Sequence, residues 1–227
     1  MTTTAGRAPA RLADSGAAIP NPGFADPTRE AQAAFRALLD ALAHPTRSYP
    51  LAGPAQPPAA FGPGLGAVAL TVLDEDSSVW LSTPLAADAE TVAWLAFHTG
   101  ARVVDEPALA DFAFARPAEL PKLDAFRLGT DEAPHLSATL VLDVAGITHD
   151  GAARFTATGP GVNGSVEFDA PWATGIEGFG EQWAANAALF PRGVDLLLVE
   201  EGALSALPRT TRLAQASATP LANAKEN

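Results

Sequence analysis

Apolar residues recur at helical spacing directly after Pro27. Asp26 is a suitable N-cap, and proline is favoured at the first position of a helix. The pattern predicts a helix that ends before Pro45. Its apolar face is expected to contain Ala31, Phe35, Leu38, Leu39 and Leu42.

Short apolar runs alternate with turns after the proline- and glycine-rich segment 50–66. Residues 66–74 are compatible with a strand or a helix, whereas residues 91–98 predict a helix that opens near Asp88 and ends at Gly100. A further helix is expected near residues 180–189. Strands are predicted at residues 79–83, 101–104, 111–115 and 136–144, and a closing β-hairpin at residues 194–200 and 203–209.

Strands interleaved with helices favour an α/β or α+β sheet protein, and we expect the α/β class, with a mixed sheet flanked by helices. Of the 227 residues, 48% are hydrophobic, which is enough for one substantial core. Residues 1–22 and 214–227 offer little to bury and are expected to be disordered tails. The sequence therefore predicts a single domain over residues 23–213.

Charge and composition narrow the classes of partner. The 14 basic and 26 acidic residues give a formal net charge of -12, which opposes binding to nucleic acid and to anionic membranes. Without cysteine the chain forms no disulfide and supplies no thiolate ligand. Neither a signal-peptide pattern nor a run of about twenty apolar residues occurs, so a cytoplasmic protein is expected.

Familiar motifs for cofactors and metals find little support in the sequence. Gly159–Gly164 matches a G-x-G-x-x-G string, with Glu181 downstream, but the residues that follow are β-prone, and we interpret the string as a tight turn. The four histidines lack metal-binding spacing, and Lys122 and Lys225 are poorly placed for a Schiff base. The sequence predicts no metal, no cofactor and no assigned catalytic residue.

Two arginines are expected to meet at the open end of the predicted hairpin. Arg192 precedes its first strand, and Arg209 follows its second with Thr210 and Arg212. Guanidinium groups suit a phosphate or phosphonate oxyanion. The alternative is that Arg192 pairs with Asp195, while the other arginines meet acidic surface or a partner subunit.

His98 lies near the end of a predicted helix, where the helix dipole favours its protonated form. The alternative is that its ring caps the helix or satisfies a buried neighbour. The candidate ligand-binding residues are His98, Arg192, Asp195, Arg209 and Thr210.

Several short strings occur together in one order along residues 23–213. They are Gly23, Phe24, Asp26 and Pro27; Gln32, Phe35 and Arg36; Leu70–Asp74 with Val79, Trp80 and Leu81; Phe97–Gly100; Asp111 and Phe112; Gly159–Gly161; Phe190–Gly193 with Asp195; and Pro208–Arg212. In this set the chain resembles the H subunit of the bacterial carbon-phosphorus lyase system, the PhnH family. One departure is Thr46, where the family pattern leads us to expect glycine.

The resemblance implies a fold similar to type I pyridoxal-phosphate-dependent transferases but without the cofactor site. It also implies a homodimer in isolation and a larger complex with the G, I and J subunits. In that system the G, H, I and L subunits are tied to converting ATP and an alkylphosphonate into a ribose 1-alkylphosphonate 5-triphosphate, with loss of adenine.

Three hypotheses about function follow. The first is an accessory subunit that is inactive alone and docks its partners through sheet and hairpin faces. The second is a contributor to catalysis that holds a triphosphate or phosphonate through Arg192, Arg209 and His98. The third, a free-standing enzyme, requires a self-contained site that the sequence does not reveal.

Overall fold

A computed structural model of the chain describes residues 20–147 and 153–216. Within these residues the helices are α1 (Pro27–Ala43), α2 (Gly62–Val72), α3 (Thr83–Ala87), α4 (Ala89–Thr99) and α5 (Phe179–Ala188). The strands are β1 (Tyr49–Pro50), β2 (Ser78–Leu81), β3 (Arg102–Val104), β4 (Phe112–Ala115), β5 (Thr139–Asp143), β6 (Ala153–Thr158), β7 (Val166–Ala170), β8 (Asp195–Glu200), β9 (Ala203–Leu207) and β10 (Arg212–Gln215). Short 3₁₀ segments lie at Pro107–Leu109, Pro117–Glu119, Leu123–Ala125, Pro134–Leu136 and Pro171–Gly175.

The main sheet has the strand order β1-β9-β8-β5-β4-β2-β3. Strands β8, β5, β4, β2 and β3 run parallel to one another, whereas β9 runs antiparallel to both β8 and β1. A second, antiparallel sheet has the order β10-β6-β7. The α/β class and the mixed sheet are therefore confirmed, and β8 and β9 form the predicted hairpin.

Two layers cover the main sheet because successive side chains of a strand point to opposite faces. On β8, Leu197 and Val199 belong to one core, with α1, α2 and α4. Leu196 and Leu198 belong to the other core, with α5 and part of the second sheet. The sheet therefore separates the α1 layer from the α5 layer.

Helix α1 begins as predicted but buries a different face. The Asp26 carboxylate accepts a hydrogen bond from the Arg29 backbone N–H at 3.2 Å, and Pro27 follows the cap. The expected face is wrong in part, since Phe35 and Leu39 are 50% and 52% exposed. Leu38 is buried together with the small residues Ala34, Ala37 and Ala41. Alanine side chains allow the helix to approach the core closely, so the larger side chains turn outward.

Three further segments go beyond what the sequence predicts. Residues 66–74, which are compatible with a strand or a helix, contribute most of α2. Strand β10 continues to Gln215, two residues beyond the domain boundary expected at residue 213. Asn21 lies inside the expected tail, yet its side chain donates a 2.8 Å hydrogen bond to Glu90 on α4. Most of both expected tails lies outside the described residues.

No helix within residues 20–147 and 153–216 has both the length and the apolar character that crossing a membrane requires.

The turn after α1 has the geometry of a glycine but contains Thr46. The φ angle of Thr46 is 70°, in the left-handed region that a β-branched residue rarely adopts. Its backbone N–H donates to the Ala206 carbonyl oxygen at 3.2 Å, which fixes the turn against β9. The left-handed turn is thus present although glycine is absent.

We expect Thr46→Gly to raise the free energy of unfolding by about 1 kcal/mol, because glycine adopts a positive φ without steric cost. Urea denaturation of the wild type and the variant measures the difference. Thr46→Ala is the control, since alanine retains the Cβ atom and should not give this gain. A glycine variant that is no more stable than the alanine variant would contradict the interpretation.

Candidate functional site

Arg209 and Asp195 form an ion pair at the open end of the β8–β9 hairpin. Asp195 Oδ1 accepts hydrogen bonds from the Arg209 backbone N–H at 2.7 Å and from Arg209 Nε at 3.1 Å. Arg209 Nη2 donates to Asp195 Oδ2, and the two side chains are only 14% and 19% exposed. Arg209 Nη1 donates to the carbonyl oxygens of Pro134 at 3.0 Å and Pro191 at 3.4 Å. The guanidinium of Arg209 is therefore held by protein groups.

Arg192 lies at the same end but has a different partner from the one considered above. Its Nε lies 3.1 Å from Asp131 Oδ1, in a pair whose side chains are 39% and 72% exposed. The alternative pairing of Arg192 with Asp195 is wrong, because Asp195 pairs with Arg209. Arg209 contacts the carbonyl oxygen of Pro191, the residue before Arg192, so the two arginines belong to neighbouring segments. Each arginine nevertheless pairs with its own carboxylate.

His98 lies in the α1 layer, away from this hairpin end. One of its ring nitrogens, Nε2, is 2.8 Å from the Asn21 carbonyl oxygen. The ring centroid is 4.9 Å from that of Trp94, which belongs to the core with α1 and α2. The structure therefore does not bring His98 together with Arg209, and its contacts hold the segment before α1 against α4.

A cleft of about 460 Å³ opens beside Arg209. Three separate parts of the chain line it: the end of β6 with the following turn, the end of α5 with Phe190, and the segment from β9 to β10. Its polar lining comes from Thr158, Arg209, Thr210 and Arg212, and the rest from Gly159, Pro160, Ala187 and Phe190. Three of the strings that carry the family resemblance, Gly159–Gly161, Phe190–Gly193 and Pro208–Arg212, thus contribute to one cleft.

The glycine string is a tight turn, as predicted, and its glycines permit close backbone contacts. A Cβ atom on Gly161 would lie 2.1 Å from the Ala43 carbonyl oxygen at the end of α1. A Cβ atom on Gly159 would lie 2.7 Å from the Thr210 carbonyl oxygen. Strand β7 follows the turn rather than a helix, so the turn lacks the helix that a dinucleotide-binding loop opens. The turn packs one wall of the cleft against α1.

The sequence predicts Arg209 and Thr210 as ligand-binding residues, whereas Arg212 and Phe190 are not among the predicted candidates. Arg212 is exposed, begins β10 and pairs in register with Thr158 on β6. Phe190 is 62% exposed and also lines the cleft. The available signal was the resemblance itself, whose strings include both residues.

Within the described parts of the chain, no group of three or more histidine, aspartate or glutamate side chains is arranged to hold a metal ion.

We expect Asp195→Ala to lower the free energy of unfolding by about 3 kcal/mol, because Arg209 would keep a largely buried charge without its carboxylate. Chemical denaturation followed by tryptophan fluorescence measures the loss. Asp131→Ala is the matched control, and removing this exposed pair should cost less than about 1 kcal/mol. Equal losses in the two variants would show that the Arg209–Asp195 pair contributes no more to stability than the exposed Arg192–Asp131 pair.

The chain matches the family model described as "Bacterial phosphonate metabolism protein (PhnH)" over residues 22–214. A relative from Rhizobium meliloti (strain 1021) is 43% identical over 191 residues, which cover 84% of this chain and 93% of the relative. It is named alpha-D-ribose 1-methylphosphonate 5-triphosphate synthase subunit PhnH.

A second relative, from Stutzerimonas stutzeri, is named putative C-P lyase subunit protein HtxG. It is 32% identical over 187 residues, which cover 80% of this chain and 85% of the relative. The family match spans nearly all of the described fold and confirms the resemblance found in the sequence. The chain belongs to the PhnH family of bacterial phosphonate metabolism proteins.

Proposed function

We propose that this chain is an accessory subunit of a carbon-phosphorus lyase complex in organic phosphonate catabolism. In this role it is needed for forming a ribose 1-alkylphosphonate 5-triphosphate from ATP and an alkylphosphonate, and it is inactive alone. Support comes from the two relatives, both of which are named as subunits of phosphonate-processing systems.

One exposed surface of α1 carries this proposal. Gln32, Phe35, Arg36 and Leu39 are exposed and lie three or four residues apart, so they share one side of the helix, which we call the α1 outer face. Phe35 and Leu39 are each about half exposed. Three of these residues also belong to a string that carries the family resemblance. An exposed aromatic residue beside an arginine is typical of protein–protein interfaces.

The α1 outer face replaces the sheet and hairpin faces that the sequence suggested for docking. Residues 196–199 of β8 and 204–207 of β9 are buried in the protein's own core. The hairpin therefore has its apolar side chains already covered, and the proposed docking surface lies on a helix.

The partners in this proposal are the G, I and J subunits, with a homodimer as the state of the isolated chain and the cytoplasm as its location. The proposed likeness to type I pyridoxal-phosphate-dependent transferases is supported by the mixed sheet, in which one strand, β9, runs against its neighbours.

The second hypothesis is a ligand held by Arg192 and Arg209, and the ion pairs of these two residues favour a different ligand-binding residue. Both guanidinium groups lie against carboxylates. The cleft beside Arg209 carries a further arginine, Arg212, for which the described residues provide no carboxylate partner. The cleft with Arg212 therefore supports a contribution to ligand binding better than Arg192 and Arg209 do.

We expect the double variant Phe35→Asp with Leu39→Asp to co-purify poorly with tagged G, I and J subunits. Two carboxylates would have to be desolvated in the interface, although the fold, which leaves both positions half exposed, should be retained. Pull-down from co-expressing cells measures the loss, and circular dichroism of the isolated variant checks the fold.

Phe97→Asp is the matched control for this experiment, because Phe97 is an exposed aromatic residue on α4, 64% exposed. It should co-purify like the wild type. Normal assembly of the double variant would exclude the α1 outer face as the docking surface. Loss of assembly in the Phe97 variant alone would indicate that the docking surface lies on α4.

A further inference from the structure

We propose that the cleft lined by Arg212, Thr210 and Phe190 binds a tetrahedral oxyanion of the phosphate or phosphonate type that carries a small apolar group. The ligand class deepens the proposed function and rests on it, since such an oxyanion would be a substrate or product fragment of the assembly. The existence of the site rests on the cleft alone.

The charge of the lining points to an anion. The whole chain has 26 acidic and 14 basic residues, yet the cleft is lined by two arginines and no acidic residue. Arg209 is neutralised by Asp195 behind the lining. Arg212 forms no ion pair with any residue in the ranges 20–147 and 153–216, so its positive charge is available to a ligand.

The backbone places Arg212 and Thr210 on one side of the cleft. The Arg209–Asp195 pair anchors the segment before them, and the Thr211 backbone N–H donates to the Pro208 carbonyl oxygen at 2.8 Å. Trp183 Nε1 donates to the Thr211 carbonyl oxygen at 2.9 Å, which ties the same segment to α5. The Thr210 hydroxyl and the Arg212 guanidinium are thus presented by a braced turn, a suitable arrangement for oxygen atoms of an anion.

Apolar groups form another part of the lining. Phe190 and Ala187 at the end of α5 and Pro160 in the glycine turn line the cleft. An exposed aromatic ring in the same lining as an arginine favours a ligand with a charged head and a short hydrocarbon group over an inorganic ion. The cleft volume of about 460 Å³ lies within the usual range of small-molecule sites.

The test is a binding titration of the full-length chain alone, followed by ³¹P nuclear magnetic resonance, with methylphosphonate, inorganic phosphate and tripolyphosphate as separate probes. We expect methylphosphonate to bind more tightly than phosphate. Arg212→Ala should weaken methylphosphonate binding roughly tenfold or more, the usual effect of losing a charge-assisted contact. Phe190→Ala should remove the preference for methylphosphonate over phosphate.

Arg102→Ala is the matched control, because Arg102 is an exposed arginine on the edge strand β3 and does not line the cleft. It should bind like the wild type, and thermal melts should show all three variants folded. Absence of binding by the wild type, or equal weakening in the Arg212 and Arg102 variants, would overturn the site. Tighter binding of phosphate or tripolyphosphate than of methylphosphonate would overturn the apolar part of the ligand class.

This experiment and the docking experiment test independent claims. Ligand binding is measured without any partner subunit, so a measured affinity would stand even if the chain did not dock to the G, I and J subunits. Conversely, a chain that co-purifies with its partners but binds none of the three probes would retain the proposed function and lose this site.

Discussion

The ion pair between Arg209 and Asp195 determines the shape of the protein around the open end of the β8–β9 hairpin and the cleft beside it. Asp195 begins β8 and Arg209 follows β9, so the pair closes the open end of the hairpin. The remaining Arg209 donors reach the carbonyl oxygens of Pro134 and Pro191, which ties two further segments to the same point. Because both charges are largely buried, losing either partner would leave the other without compensation. The direction of the chain from Pro208 to β10, and with it one side of the cleft, follows from this arrangement.

The two surfaces proposed to interact with other molecules belong to different layers of the fold. The α1 outer face lies on the layer that buries Ala34, Leu38 and Ala41. The cleft lies between α5 and the second sheet, in the other layer. The turn at residues 159–161 connects the two layers, since Gly161 approaches the end of α1 and Gly159 approaches Thr210. A surface for a partner and a site for a small ligand therefore coexist on one domain.

Elements with local signals could be predicted from the sequence, whereas contacts between distant residues mostly could not. The Asp26 cap, the glycine that ends α4 and the β8–β9 hairpin each depend on residues close together in the chain. The buried face of α1 could not be predicted from the size of its apolar side chains, because the small side chains of the alanines pack against the core while Phe35 and Leu39 are exposed. The Arg209–Asp195 pair had a usable signal: with the turn at residues 201–202, the hairpin register places Asp195 near Pro208 and Arg209. The approach of the glycine turn to α1 had no such signal.

The most direct test of the account is hydroxyl-radical footprinting of the chain alone and within a co-purified assembly with the G, I and J subunits. If the chain functions as a docked subunit through the α1 outer face, oxidation of Phe35 and Leu39 should fall several-fold on assembly while oxidation of Phe97 stays constant. Unchanged oxidation of Phe35 and Leu39 in an intact assembly would contradict the account.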